Sequence, residues 1–272
     1  LINSQDALIK VHKRIFPKFR KRTVWNYWQN IAAILIFPIA IGTLLWIYFN
    51  SHRPGYSNEL VYNEIYAAFG TRSSLRLADS TLVWLNSGSS LRYPNKFSNK
   101  IREVYLKGEA YFEVKSDVSR PFVVRTSALE VKATGTKFNV QEYDSNPLTE
   151  VTLVSGEVVV NELDHKNNPE LITELKPDQH FTYNRETRDK SIVNENSYLY
   201  IGWKDGTLIF RNERLDKVLS KLSMMFNVDI ELQGEELQDY RYRATFQDES
   251  LEEIFKLLKL SSPINFVEIE RR

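Results

Sequence analysis

No cysteine occurs anywhere in the 272 residues, which excludes disulfides, thiolate metal ligands and a cysteine nucleophile. Histidine is scarce, with four in all at His12, His52, His165 and His180. None stands in an H-E-x-x-H-like spacing, so these side chains are expected to be solvated rather than metal ligands. Neither sign of charge is in excess: 36 basic residues face 35 acidic ones, for a net charge of +1. That balance argues against a globally basic nucleic-acid binder. A charged content of 26% argues against bulk disorder. The G-x-S-x-G, P-loop and Rossmann signatures are all missing. Glu109 and Glu113, four residues apart on one expected strand, would stand roughly 13 Å from each other, too far for the roughly 5–9.5 Å carboxylate pair of a glycosidase. No cofactor and no catalytic activity are expected.

Long apolar runs are also few, and the main one is decisive. Residues 31–49 read IAAILIFPIAIGTLLWIYF, and no charged residue occurs from Thr23 through Ser51. As a helix this run spans roughly 28 Å, close to the hydrocarbon thickness of a bilayer. Trp25, Tyr27 and Trp28 lie at one end and Trp46, Tyr48 and Phe49 at the other, as in interfacial aromatic belts. A single transmembrane helix over 25–50 is expected. Lys10, Lys13, Arg14, Lys18, Arg20, Lys21 and Arg22 precede it against one acid, Asp6, while Arg53 is the basic residue on the far side before Glu59. Basic flanks stay in the cytoplasm and favour anionic lipid. The expected topology is therefore single-pass in the inner membrane, with the N-terminus cytoplasmic and the C-terminus periplasmic.

Pro54 and Gly55 mark a linker over 51–64. From about residue 65 the pattern changes to short runs such as TLVWL, REVYL, AYFEV, PFVVRT and EVTLV, punctuated by Gly, Asn, Asp, Ser and Pro. This predicts an all-β domain, sandwich-like or barrel-like, over 65–200. Within it ELITEL and HFTYN read as short strands between polar turns.

Residues 201–272 contain a repeat. FRNERLDKVLSKL from Phe210 aligns with FQDESLEEIFKLL from Phe246 at an offset of 36 residues. Leu215, Val218, Leu219 and Leu222 fall on one helix face, as do their counterparts Leu251, Ile254, Phe255 and Leu258. Asn212 is the expected N-cap of the first helix, and Ser250 with Glu253 forms a capping box for the second. NVDIEL from Asn227 and INFVEI from Ile264 alternate like half-buried strands, so a small α+β domain of two βαβ units is expected. Strand addition at an exposed edge is a common docking mode. Asn227, Val228, Ile230, Leu232, Ile264, Phe266 and Val267 are accordingly the candidate protein-interaction residues.

Five segments carry a family resemblance. They read LADSTLVWLNSGSSLRYPNKF from Leu77, REVYLKGEAYFEV from Arg102, RPFVVRT from Arg120, GTKFNV from Gly135 and VTLVSGEVVV from Val151. In order and spacing they resemble the FecR family of anti-sigma factors over about a hundred residues. Ala78 and Ser80 depart from it, standing where that family usually has Pro and Gly beside its Asp. The C-terminal repeat resembles the secretin/TonB short N-terminal type of domain. The resemblance implies an anti-sigma factor that relays a signal by protein contact. Its implied partners are the signalling domain of an outer-membrane TonB-dependent transporter, membrane and periplasmic proteases, and an extracytoplasmic-function sigma factor. Residues 1–24 are too short for the family's sigma-binding domain, and with Leu1 in place of Met they are expected to be its remnant. The alternative reading is an inner-membrane-anchored binding or scaffold module without a sigma factor.

Overall fold

A computed structural model describes residues 23–51, 61–164 and 166–267. The chain divides into two compact units, Leu1–Glu59 and Leu60–Arg272. The first contains helix α1 (Thr23–Ser51), 29 residues long with Pro38 inside it. Its described side chains, residues 36–51, are all exposed. Among the described residues no helix is long and apolar enough to cross a membrane, although the helical backbone takes in the whole apolar run from residue 31 to 49. The basic segment before Thr23 and most of the expected linker lie outside the described residues.

The second unit opens with thirteen strands. They are β1 (Tyr62–Ala67), β2 (Ser73–Arg76), β3 (Leu82–Leu85), β4 (Ser89–Pro94), β5 (Arg102–Glu113), β6 (Phe122–Arg125), β7 (Leu129–Ala133), β8 (Lys137–Glu142), β9 (Leu148–Ser155), β10 (Val158–Leu163), β11 (Pro169–Leu175), β12 (Gln179–Asn184) and β13 (Lys190–Asn194). β1 starts within the span expected to be linker, because YNEIYA pairs along its whole length with β4.

β5 organises the rest. Its first half pairs with β4 and, in parallel, with β6. Its second half pairs with β3 and β8. Two seven-stranded halves therefore share one strand: β1-β4-β5-β6-β7-β10-β11 and β2-β3-β5-β8-β9-β12-β13. The crossing falls at Gly108, whose φ of +89° and close approach to Ser89 both demand glycine, since a Cβ there would lie 2.4 Å from the Ser89 hydroxyl. One apolar core collects the inward residues of both halves, among them Leu91, Val104, Phe122, Phe138, Val151 and Phe181. Phe112 on one half meets Phe122 on the other at 5.9 Å and stacks on Phe138 at 5.2 Å. Of the all-β, sandwich-like or barrel-like expectation, a mostly-β region with a half-barrel sheet holds.

At the start of β5, Arg102 is fully buried. Its guanidinium pairs with Asp79 at 2.7 Å and donates to the carbonyls of Arg120 and Lys115, both at 2.7 Å. A buried charge survives only when paired and hydrogen-bonded in this way. Asp79 also accepts from the Thr81 N–H and hydroxyl.

The remainder is helix α2 (Tyr198–Ile201) running into a 3-10 turn, then β14 (Thr207–Arg214), α3 (Leu215–Phe226), β15 (Arg241–Gln247) and α4 (Leu251–Ser261). Leu215, Val218, Leu219 and Leu222 are buried as their spacing predicts, and so are Ile254 and Leu258. Phe255 is only partly buried, stacked on Phe266 at 4.1 Å. The capping box at Ser250 and Glu253 is present.

Two expectations require correction. Residues 227–233 and 264–267 form no ladder strand, so the two βαβ units reduce to two β–α units joined by the β14–β15 pair. Nor does Asn212 cap α3; Arg214 occupies that position. Asn212 instead sits left-handed at φ +52°, where the β14–β15 register shifts, and its repeat counterpart Asp248 is left-handed too, at φ +63°, just past the end of β15. Asn and Asp tolerate that conformation, so the repeated Asn/Asp marks a backbone irregularity, not a cap.

Ser80 sits in the turn between β2 and β3 with φ +72°, the position at which the resembled family usually carries Gly. A left-handed L-residue costs about 1–2 kcal/mol, part of which glycine's greater unfolded-state entropy offsets. The Ser80→Gly variant should therefore be more stable by about 0.5–1 kcal/mol, read as a raised denaturation midpoint. A lowered midpoint would mean that the Ser80 side chain makes a stabilising contact.

Candidate functional site

Three features converge where α3 lies against the β region. The first is a buried polar network. Asn86 and Ser87 come from the loop entering β4, Ser89 opens β4, and Glu109 follows the glycine at the β5 crossing. Glu109 is 6% exposed. One of its oxygens accepts from Asn86 Nδ2 at 2.7 Å and the other from Asn139 Nδ2 at 2.8 Å, while its own N–H donates to Ser89 Oγ at 2.8 Å. Tyr143 donates to the Ser87 carbonyl at 3.0 Å. Burial pushes the Glu109 carboxyl up to about 7 against the opposing pull of the two amides and of Lys221 on α3. Asn139 Oδ1 has no hydrogen-bond partner. A protonated Glu109 can supply one if the amide turns over. Glu113, by contrast, lies outside this network and pairs with Lys137 at 3.3 Å. The two carboxyls thus have separate partners and do not act as a pair.

The second feature is an ionic cluster beneath the same helix. Glu150 on β9 lies 3.8 Å from His180 on β12. Its carboxyl is raised by burial, with Lys221 and Lys217 of α3 drawing it down and Glu213 adding to the rise. His180 was expected to be solvated but is buried. Its ring stacks on Tyr200 at 3.7 Å and its Nδ1 meets Thr152 Oγ1 at 2.8 Å. Burial pushes this imidazole down to about 4, so it is neutral near pH 7. Lys221 pairs with Glu213 at 3.5 Å. His165, His12 and His52 lie outside the described residues.

The third feature is an open cleft of about 690 Å³ bordered by Phe69, Leu219, Met224, Asn227, Ile230 and Leu232. Of the candidate interaction residues, Asn227, Val228, Ile230 and Leu232 line it. Ile230, Leu232, Ile264 and Phe266 also pack on the small core around α3 and α4, and Val267 is exposed. The three from 264–267 are not among the residues lining the cleft. The cleft's floor is thus partly legible in the alternation of NVDIEL, but its wall at Phe69 comes from the β region and has no local signal. Among the described residues no cluster of His, Asp and Glu could hold a metal ion.

The residues that build the network all lie within a stretch that matches a known family. Residues 63–159 match the family described as FecR protein, and residues 207–272 match its C-terminal region, FecR C-terminal. Two crystal structures described as a candidate anti-sigma factor from Parabacteroides distasonis ATCC 8503 are 31% identical. One superposes with a TM-score of 0.69 over 76% of this chain and 95% of that chain. The other gives 0.70 over 78% and 97%. The chain belongs to the FecR family of anti-sigma factors. That family is regulatory and non-enzymatic, in keeping with a Glu109 whose oxygens are both taken by amides. No curated protein matches the chain.

Glu109 gives this FecR-family chain a defined pH signature. A carboxyl whose folded pKa exceeds its unfolded value contributes stability that is fully present at low pH and is lost as pH rises through the folded pKa. For Glu109 the window runs from the ordinary value of 4.5 to about 7. His180 acts oppositely, losing stability as pH falls from 6.5 toward about 4. The comparison of wild type with Glu109→Gln cancels the His180 contribution. The wild type should lose roughly 2–4 kcal/mol relative to this variant between pH 5 and pH 8, measured by urea unfolding. Parallel stability curves would mean that Glu109 is ionised throughout.

Proposed function

We propose that this chain is a single-pass inner-membrane regulator that carries a periplasmic signal to an extracytoplasmic-function sigma factor. The input is contact with the signalling domain of an outer-membrane TonB-dependent transporter, and regulated proteolysis by membrane and periplasmic proteases completes the relay. The observation that carries this reading is the arrangement of the two FecR family matches, both C-terminal to a 29-residue helix without a charged residue. In the sequence, the uncharged stretch of residues 31–49 with seven basic residues before it favours a cytoplasmic N-terminus. Pro38 removes one backbone hydrogen bond within that helix.

On the periplasmic side, docking falls to the cleft beside α3. An extended segment laid along Asn227, Val228, Ile230 and Leu232 would meet backbone that no strand pairs with, together with an apolar floor. Ile264, Phe266 and Val267 offer a second stretch without a ladder partner.

Two measurements test this reading. A reporter active only in the periplasm should be active when fused after Arg272 and silent when fused before Trp25; the reverse pattern would overturn the topology. Ser220 is an exposed α3 residue bordering the cleft, so Ser220→Trp fills the cleft without entering the core. This variant should bind a cognate transporter signalling domain at least about tenfold more weakly, with an unchanged denaturation midpoint. Unaltered affinity would move the docking site elsewhere.

A further inference from the structure

The end of α3 is closed by the β region, not by its own chain alone. The last carbonyls of a helix have no partner within the helix and must find one elsewhere. For α3, the left-handed C-cap Asn227 and then Val228 return their N–H groups to the Ser223 carbonyl. The Met224 carbonyl is served from outside: Ser87 Oγ donates to it at 2.5 Å and the Gly70 N–H at 3.3 Å. The same Gly70 N–H reaches Ser87 Oγ at 2.8 Å, so the three groups form a closed triangle. Gly70, at φ +78°, lies so close that a Cβ on it would stand 3.1 Å from the Asn227 Cβ. Each member of this triangle also belongs to something larger. Met224 and Asn227 border the cleft, and so does Phe69, the neighbour of Gly70. Ser87 follows Asn86, which holds Glu109, and its own carbonyl accepts from Tyr143.

From this geometry we infer that Ser87 is a positioning residue for the cleft. Its hydrogen bond to Met224 is the joint through which the seating of α3 and the polar network at Glu109 act on each other. The inference concerns a contact within the chain and stands whether or not a transporter is the partner. A joint of this kind is reciprocal, because a coupling free energy acts equally in both directions. Loosening the β-region side frees the end of α3, and straining the end of α3 exposes the Gly70 amide.

Amide hydrogen exchange on the full chain reads both directions. Ser87→Ala should speed exchange across 222–228 by about tenfold, the expected scale for one lost hydrogen bond, while amides of β9 and β12 stay as in the wild type. Ser98→Ala controls for ordinary weakening of the β region. Ser98 accepts from the Lys100 and Ile101 amides far from α3, and its loss should leave 222–228 unmoved. In the opposite direction, Asn227→Ala strains the left-handed cap and should speed exchange at Gly70. The inference is overturned if Ser87→Ala leaves 222–228 unchanged or speeds exchange evenly over the whole chain. An unaffected Gly70 amide in Asn227→Ala would overturn it as well.

Discussion

The passage of β5 from one half of the β region to the other is the constraint on which this structure depends. A strand with two neighbours on each side along its length can serve both only by turning at the boundary, and the turn falls at Gly108 with its φ of +89°. The close approach of Ser89 at that point leaves no room for a side chain. Polar groups that would otherwise be stranded by the turn are gathered there: the Glu109 N–H on Ser89, and the Glu109 carboxyl on Asn86 and Asn139. At the start of the same strand Arg102 is locked to Asp79 and to two carbonyls. Breaking one partner of such a buried pair costs about 3–5 kcal/mol, so the start of the crossing strand is firmly pinned. The whole of this crossing lies within the first family match.

That location explains how a β region with little surface chemistry can matter to the C-terminal part. The loop that supplies Asn86 to Glu109 also supplies Ser87 to α3. The Arg72 guanidinium donates to the Trp203 carbonyl, and Lys204 sits over the Tyr111 ring at 5.5 Å. His180 and Tyr200 stack across the same seam. The cleft beside α3 is therefore framed by two parts of the chain that are far apart in sequence, and a partner entering it would bear on both.

Much of this was legible from the residues, and the failures have a common cause. Periodicity located α3 and α4 and their buried faces, because an amphipathic helix writes its burial into its own spacing. The capping box at Ser250 was legible for the same local reason. The alternation of NVDIEL foretold which side chains turn inward, since Ile230 and Leu232 pack on the small core while Asp229 and Glu231 are exposed. It did not foretell the missing ladder, because pairing needs a second strand that no local pattern names. The side-chain type of Asn212 suits a cap and a left-handed backbone alike, and here it serves the second. His180, Arg102 and Glu109 were illegible because a charged or polar residue defaults to the surface unless its buried partners are known. Those partners lie 23 residues away for Arg102 with Asp79, and 23 and 30 residues away for Glu109 with Asn86 and Asn139. Arg102, Glu109 and these partners fall within the segments that resemble the family, whereas His180 lies outside them.

The central claim is that the β5 crossing and α3 form one cooperative unit, joined through the loop at Asn86 and Ser87. Native-state hydrogen exchange of the full chain under increasing denaturant tests it directly, by following the amides of β5 around Glu109 and those of α3 separately. The account predicts that the free energies of opening of the two segments fall together and merge at the same denaturant concentration. If α3 opened completely while β5 kept its full protection, the two would be independent bodies and the account would be wrong.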